Sequence, residues 1–253
     1  MGLIAITEPD DAGTLTASGA GSGTDVAALF RTQPTDVWAA AAPGAAWVVQ
    51  DAGAALDIDT VALLYTNMPV GSTWRVRVAD SQANLTAAPL YDSGALAFAD
   101  FHGSARTPRR HLYHRMPAVH AARWRRIDVT PANGTFVAGR LVTGRAWEPL
   151  VSYGLVRDFA PRVEITDTDG GATVLRRWES APTIAFQMVT KDQAEFEASL
   201  YEVERLSREV LIAYDATGTH QQKRLYYGLA QGRGFAEPAF SFYQHRIELR
   251  GLL

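Results

Sequence analysis

The chain has 253 residues, no cysteine and a formal net charge of −3, with 47% hydrophobic and 20% charged residues. That length holds one large all-β domain or two ordinary ones, with ample material for a core. The missing thiols exclude disulfides, thiolate catalysis and zinc–sulfur sites, and the negative balance excludes bulk attraction to nucleic acid or anionic membrane.

The opening residues carry no basic segment followed by an apolar one, so a signal peptide is not predicted and synthesis without secretion is expected. No run approaches the ~20 apolar residues that a membrane span needs, so no membrane insertion is expected. Residues 1–25 read as a short strand, Leu3–Thr7, followed by a flexible connector rich in Gly, Ser and Ala. Glycines 19, 21 and 23 suggest a phosphate loop, but no Lys-Ser/Thr follows them. Asn84-Leu85-Thr86 and Asn133-Gly134-Thr135 match the glycosylation pattern, which without an export signal is a chance match.

From Val26 to Arg157 the pattern is all-β. Trp47-Val48-Val49, Thr60–Tyr65, Trp74–Val78, Arg123–Val129 and Gly139–Val142 are short strand candidates set apart by Gly, Pro, Asn and Asp. Trp74, Val76 and Val78 alternate with Arg75 and Arg77, which predicts one buried and one wet face. Such spacing suggests a β-sandwich over 26–157.

The remainder, 158–253, reads as an α+β unit. A long hairpin is expected around Arg162–Trp178, with Asp167-Thr168-Asp169-Gly170-Gly171 as its turn. Thr183–Thr190 alternates as a strand, and Thr190-Lys191-Asp192-Gln193 has the form of a capping box. Phe196, Leu200 and Val203 then share one helical stripe. Val210–Tyr214 is apolar throughout and predicts a strand covered on both faces. Lys223–Gln231 and Phe240–Arg250 follow as strands. In the second, Tyr243, His245, Ile247 and Leu249 lie opposite Gln244, Arg246, Glu248 and Arg250.

Several constellations admit a chemical reading. His102, His111, His114 and His120 fall within the segment Phe101–Arg126. As metal ligands they would need a common face, yet no helix supplies one and the neighbouring arginines 106, 109, 110 and 115 repel a cation. Imidazoles that hydrogen-bond or face water are the favoured reading. The segment's seven arginines suggest a polyanion patch, or a basic strand face paired to acidic surfaces of neighbouring subunits, which is preferred. Asp57 with Asp59, and Asp167 with Asp169, are i, i+2 pairs that suggest calcium or acid–base work, but turn chemistry accounts for them. No hydrolase elbow, metalloprotease helix or kinase-like set is present. An enzyme is not expected, nor is a cofactor or metal.

The runs Leu56–Asn67 and Trp74–Val78, with Ala122–Val129 and Ala138–Gly144, resemble the paired strands of galactose-binding-like (discoidin-type) jelly rolls. Such a jelly roll joined to the strand–helix–strand pattern of 158–253 resembles tail-tip proteins of long-tailed bacteriophages, the siphophage distal tail or minor tail proteins. It departs from the better-known distal tail proteins in placing the sandwich before the ring-forming domain. The resemblance implies a structural virion protein of the tail tip or baseplate. In it, copies of the C-terminal unit would close into a homo-oligomeric ring, a hexamer. The ring would contact tail tube and tail hub proteins and would not recognise nucleic acid. Arg176, Arg177, Tyr243, His245, Ile247 and Leu249 are the candidate interface residues. The alternative is a carbohydrate-binding module for host surface glycan, with Trp38 and Trp147 as candidate sugar platforms.

Overall fold

A computed structural model of the chain describes residues 4–98, 110–149, 155–167, 173–190, 194, 209–215, 224–239 and 242–252, and antiparallel sheets dominate them. In chain order the strands are β1 (Ile4–Thr7), β2 (Thr14–Ala17), β3 (Trp38–Ala39), β4 (Ala46–Leu64), β5 (Thr73–Ala79), β6 (Tyr91–Asp92), β7 (Leu96–Ala97) and β8 (Leu112–Thr130). Then come β9 (Val137–Ala138), β10 (Arg140–Gly144), β11 (Ala146–Trp147), β12 (Val156–Asp167), β13 (Thr173–Thr190), β14 (Glu209–Tyr214), β15 (Leu225–Ala239) and β16 (Phe242–Gly251). A 3-10 turn, Val26–Phe30, and a one-turn helix α1, Asn84–Ala87, interrupt the first half. The helix expected after Thr190 lies outside the described residues, save Ala194, which is helical.

The chain divides into two units, residues 1–148 with 211–225, and 149–210 with 226–253. In the first, a five-stranded sheet runs β10-β4-β8-β5-β6, with β2 added to β4 and β7 to β5. Trp74, Val76 and Val78 of β5 are buried while Arg75 is exposed, as the alternation requires. β4 and β8 each run 19 residues. Their ladder slips between Asp51 and Leu56 and again between Ile58 and Thr60, and such irregularities bend a strand. Val48 from one half of β4 and Val61 and Leu63 from the other therefore enter one core, with Ile127, Phe136, Trp38 and Leu141. This is an arrangement consistent with a β-sandwich. What the sequence presents as separate short strands, at 47–49 and at 60–65, is one bent strand through residue 64.

The opening 25 residues are not a loose connector. β1 is buried along its length and pairs with β11 and with β14, Ile4 opposite Tyr214 and Thr7 opposite Leu211. β2 pairs with β4. Between them, Asp10 and Asp11 are drawn in by two arginines from the middle of the chain. Arg140, fully buried, meets both oxygens of Asp11 at 2.7 Å and donates to the Leu29 carbonyl at 3.0 Å. Arg125, 2% exposed, donates through one nitrogen to Asp10 (2.5 Å) and to the Thr143 hydroxyl (2.8 Å). Gln50 completes the network, donating to the carbonyls of Asp10 and Ala12 and accepting from Thr143. Buried guanidiniums need such partners, since an unpaired charge in the interior is strongly disfavoured. Gly13 joins the strap to β2 at a φ of +86°, and a Cβ there would stand 1.7 Å from the Asp51 carbonyl oxygen. Residues 211–225 belong to the first unit, where β14 pairs with β1.

The second unit holds a sheet in the order β15-β16-β13-β12. Its strands run 15, 10, 18 and 12 residues, mostly far above the usual five or six. β12 and β13 form the expected long hairpin, with Asp167 opposite Thr173 as the last described pair and the turn outside the described residues. Phe186 stands opposite Ile247, and Ile184 opposite Leu249. All four are buried, whereas Arg246 and Arg250, on either side of Ile247 and Leu249 along β16, are exposed. Ile247 and Leu249 therefore face this chain's own interior and are not a contact face for a neighbour. Arg176 and Arg177 sit on the hairpin opposite Glu164 and Val163. Tyr243 and His245 lie on β16 opposite Thr190 and Met188. The side chains of Arg176, Arg177, Tyr243 and His245 fall outside what the structure describes.

Candidate functional site

Parity on the five-stranded sheet separates two sets of side chains. Val48, Val76, Val78, Ile127 and Val129 point into the core. The alternate positions form a grid on the opposite face. Trp47 of β4 stands beside Asp128 of β8, which stands beside Arg75 of β5. The next row is Val49, Arg126 and Arg77, and the third is Asp51, Trp124 and Ala79. Val49, Ala79 and Leu85 of α1 make a small buried cluster, against which both Trp47 and Trp124 pack while staying partly exposed.

Around the two indoles Asp51, Asp92 and Asp128 are held by arginines, and Asp80, next to Ala79, by Asn84 of α1. Arg123 meets both oxygens of Asp51 at 2.6 and 2.8 Å, and Arg75 grips Asp92 through two nitrogens. Asp128 takes Arg77 at 2.5 Å and Arg126 at 2.8 Å. Arg77 also donates to the Leu85 carbonyl, tying α1 to the sheet. The Arg123 hydrogen bond holds the Asp51 carboxyl at about 2, well below its ordinary 3.8. The Arg75 hydrogen bond does the same for Asp92, also to about 2. Arg126 lies over the Trp47 ring at 5.0 Å and Arg123 over Trp124 at 5.5 Å, distances at which a cation is attracted to the π face. The face is thus a rigid mosaic of indole, guanidinium and carboxylate. It offers apolar stacking surface and fixed donors side by side, which is how sugar and polar-ligand surfaces are built.

A second cluster sits at the margin of the core. The Tyr91 hydroxyl and His114 Nε2 share a 2.7 Å hydrogen bond, and their rings stack at 5.7 Å. His120 lies 5.4 Å away on the same tyrosine, with a buried Nε2 that has no partner. Trp74 meets His114 edge-on. Burial lowers the His114 pKa, as expected where a charge would lose its water. Beside Asp59, burial pushes Tyr113 up to about 12.

The sequence-predicted residues are distributed differently. Trp38 is fully buried, donates from its indole nitrogen to the Gly19 carbonyl at 3.1 Å and meets Phe136 edge-on. It offers no face to a sugar. Trp147 is partly exposed on β11, opposite Ile6. His111 is buried and its Nδ1 accepts from the Tyr65 amide at 3.0 Å, apart from the Tyr91 cluster, while His102 lies outside the described residues. Asp59 is buried within β4, where it accepts from Thr60, from the Ala146 amide and from Arg115. Asp57 meets Arg145 at 3.2 Å. These two aspartates anchor β10 and β11 instead of making a turn. Asp167 closes the described hairpin ladder, and Asp169 is outside the described residues. Four arginines of the basic segment are engaged within the chain. Arg115, Arg123, Arg125 and Arg126 pair with Glu148 and Asp59, Asp51, Asp10, and Asp128 of their own chain. Sequence reasoning misses Trp47 and Trp124, although each lies an odd number of positions from the inward set marked by Val48 and Ile127.

No protein-family model and no characterised protein sequence matches the chain. Among solved structures, chitosan-binding module 1 of a chitosanase/glucanase from Paenibacillus sp. IK-5 is similar at 15% identity, over 54% of this chain and 98% of that one, with a TM-score of 0.38. The lectin domain of lectinolysin complexed with Lewis B antigen is similar at 16% identity, over 55% of this chain and 97% of that one, with a TM-score of 0.42. At such identities and scores neither transfers a ligand to this chain.

Proposed function

We propose that this chain is a non-enzymatic structural protein of the tail tip of a long-tailed bacteriophage, where its second unit closes with copies of itself into a ring between tail tube and hub. The observation that supports this most is the edge of the second sheet. Among the described residues β12 pairs with β13 alone, and it carries Phe159 at 64% and Val156 at 53% exposure. A long strand with an open hydrogen-bonding edge and uncovered apolar side chains recruits another strand unless something blocks it. A head-to-tail contact of that kind closes into a ring when the rotation allows. Six copies, a place in the virion and synthesis in the host cytoplasm follow from the resemblance to distal tail proteins. Electron microscopy of the purified full chain tests the reading: closed six-membered rings are expected, and a field of single chains at high concentration overturns it.

A second reading is favoured by a different observation. The partly exposed Trp47 and Trp124, framed by ion-paired arginines, make the sandwich unit a glycan-recognition module that such a ring would display toward the host surface. Retention on immobilised polysaccharide, weakened by Trp124→Ala, is the expected result; a flat glycan array disposes of this reading.

A further inference from the structure

We infer that the outer face of the β4-β8-β5 sheet takes an anionic glycan, a chain of sugars bearing carboxylate or phosphate groups. This rests on the glycan reading above and names the ligand class for that same face. The indoles set the geometry. Trp47 and Trp124 are one strand apart and four residues apart along it, about 14 Å between backbones by strand spacing. Both are anchored on the same buried cluster of Val49, Ala79 and Leu85, so their positions are fixed before any ligand arrives. Preorganised aromatic surface of this kind limits the entropy lost on binding.

The charge comes from the arginines. Four guanidiniums, Arg75, Arg77, Arg123 and Arg126, share three carboxylates, Asp51, Asp92 and Asp128. The face is locally positive on a chain whose formal balance is −3. Arg75 and Arg123 each spend Nε and Nη2 on their aspartates. Their side chains remain 44% and 43% exposed, and Nη1 of neither is among the buried unpartnered atoms. The aspartates hold each guanidinium plane still and leave an outward N–H donor in a set direction. Charged donors fixed this way suit carboxylate and phosphate oxygens, while the neighbouring rings suit the C–H face of a pyranose. A neutral glycan would use the rings and leave the surplus charge unanswered.

Affinity electrophoresis of the full chain decides the matter, with polygalacturonate, a glycerol-phosphate teichoic acid, neutral dextran and double-stranded DNA in separate gels. Retardation by the two anionic polymers, falling severalfold as salt rises, is the expected result. Arg75→Gln with Arg123→Gln should weaken it about tenfold, since each change removes a charge-assisted contact. Trp124→Ala should weaken it similarly, and Trp124→Phe, which keeps a ring on the Val49–Leu85 cluster, should retain most of it. Thermal melts identify any variant that has lost its fold. Retardation by one anionic polymer alone identifies the carboxylate or the phosphate as the ligand's charge. Equal retardation by dextran, untouched by the arginine changes, overturns the anionic class and leaves glycan recognition standing. Anionic binding indifferent to both arginine and tryptophan changes places the site elsewhere. Retardation by double-stranded DNA with the same salt response shows a general polyanion surface and overturns the inference. No retardation by any polymer removes the glycan reading itself.

Discussion

At the scale of single residues, charge placement explains more of this molecule than reactive chemistry does. Asp11 holds a guanidinium that has no exposure at all. Removing it in Asp11→Ala takes the carboxylate from the buried Arg140, and a buried pair broken on one side costs about 3 kcal/mol. A urea melt of the variant should show that loss, and Arg140→Met with Asp11→Ala together should recover part of it. His114 makes a second prediction. Its pKa in the folded state is lowered from 6.5 by burial, so the unfolded chain binds the proton first. The stabilisation is complete above about pH 6.5 and is lost as pH falls through the lowered value. The melting temperature should therefore be flat from pH 8 to 6.5 and decline below it, with a smaller decline in His114→Gln. Asp92, held at about 2, behaves in the same sense in stronger acid: its contribution is present above 3.8 and is lost as pH approaches 2.

At the scale of elements, what could be read in advance is what depends on parity. The alternation of Trp74, Val76 and Val78, the hairpin across 162–178 and the shared face of Ile247 and Leu249 all follow from the two-residue period of a strand, although that period does not say that the last pair is buried within the chain. Hidden from such reading was whatever depends on partners distant in sequence. Nothing local in Glu8–Gly23 announces that Asp10 and Asp11 meet arginines more than a hundred residues away, so a Gly- and Ser-rich composition was taken for a connector. Trp38 reads as a candidate sugar platform, yet its indole nitrogen is satisfied inside by the Gly19 carbonyl. The basic segment reads as a face for other subunits because the partners of Arg115, Arg123 and Arg125, on β4 and in the strap before β2, lie far off in sequence. Gly228 yields a test at this scale. It stands opposite Gly251 in the β15–β16 ladder, and a Cβ on it would lie 2.0 Å from the Arg250 carbonyl oxygen. Gly228→Ala should cost about 1–3 kcal/mol through that clash and loosen the closing hairpin, visible as faster amide exchange along β16.

At the scale of the whole molecule, the two units divide the work by the kind of surface each presents. The sandwich unit holds its charges in pairs and keeps two tryptophans on one sheet face. The second unit carries long strands and ends, among the described residues, on β12 with its outer edge unmatched and Phe159 uncovered. That edge is the surface through which the proposed ring would form. Sedimentation velocity of the intact chain across a wide concentration range, beside Phe159→Lys, tests this most directly, because a lysine on an edge strand is the standard barrier to strand addition. The account predicts a discrete multi-subunit species for the native sequence and a shift to single chains in the variant, with the circular dichroism unchanged. A native chain that sediments as a monomer at every concentration, or a variant that assembles as before, would contradict it.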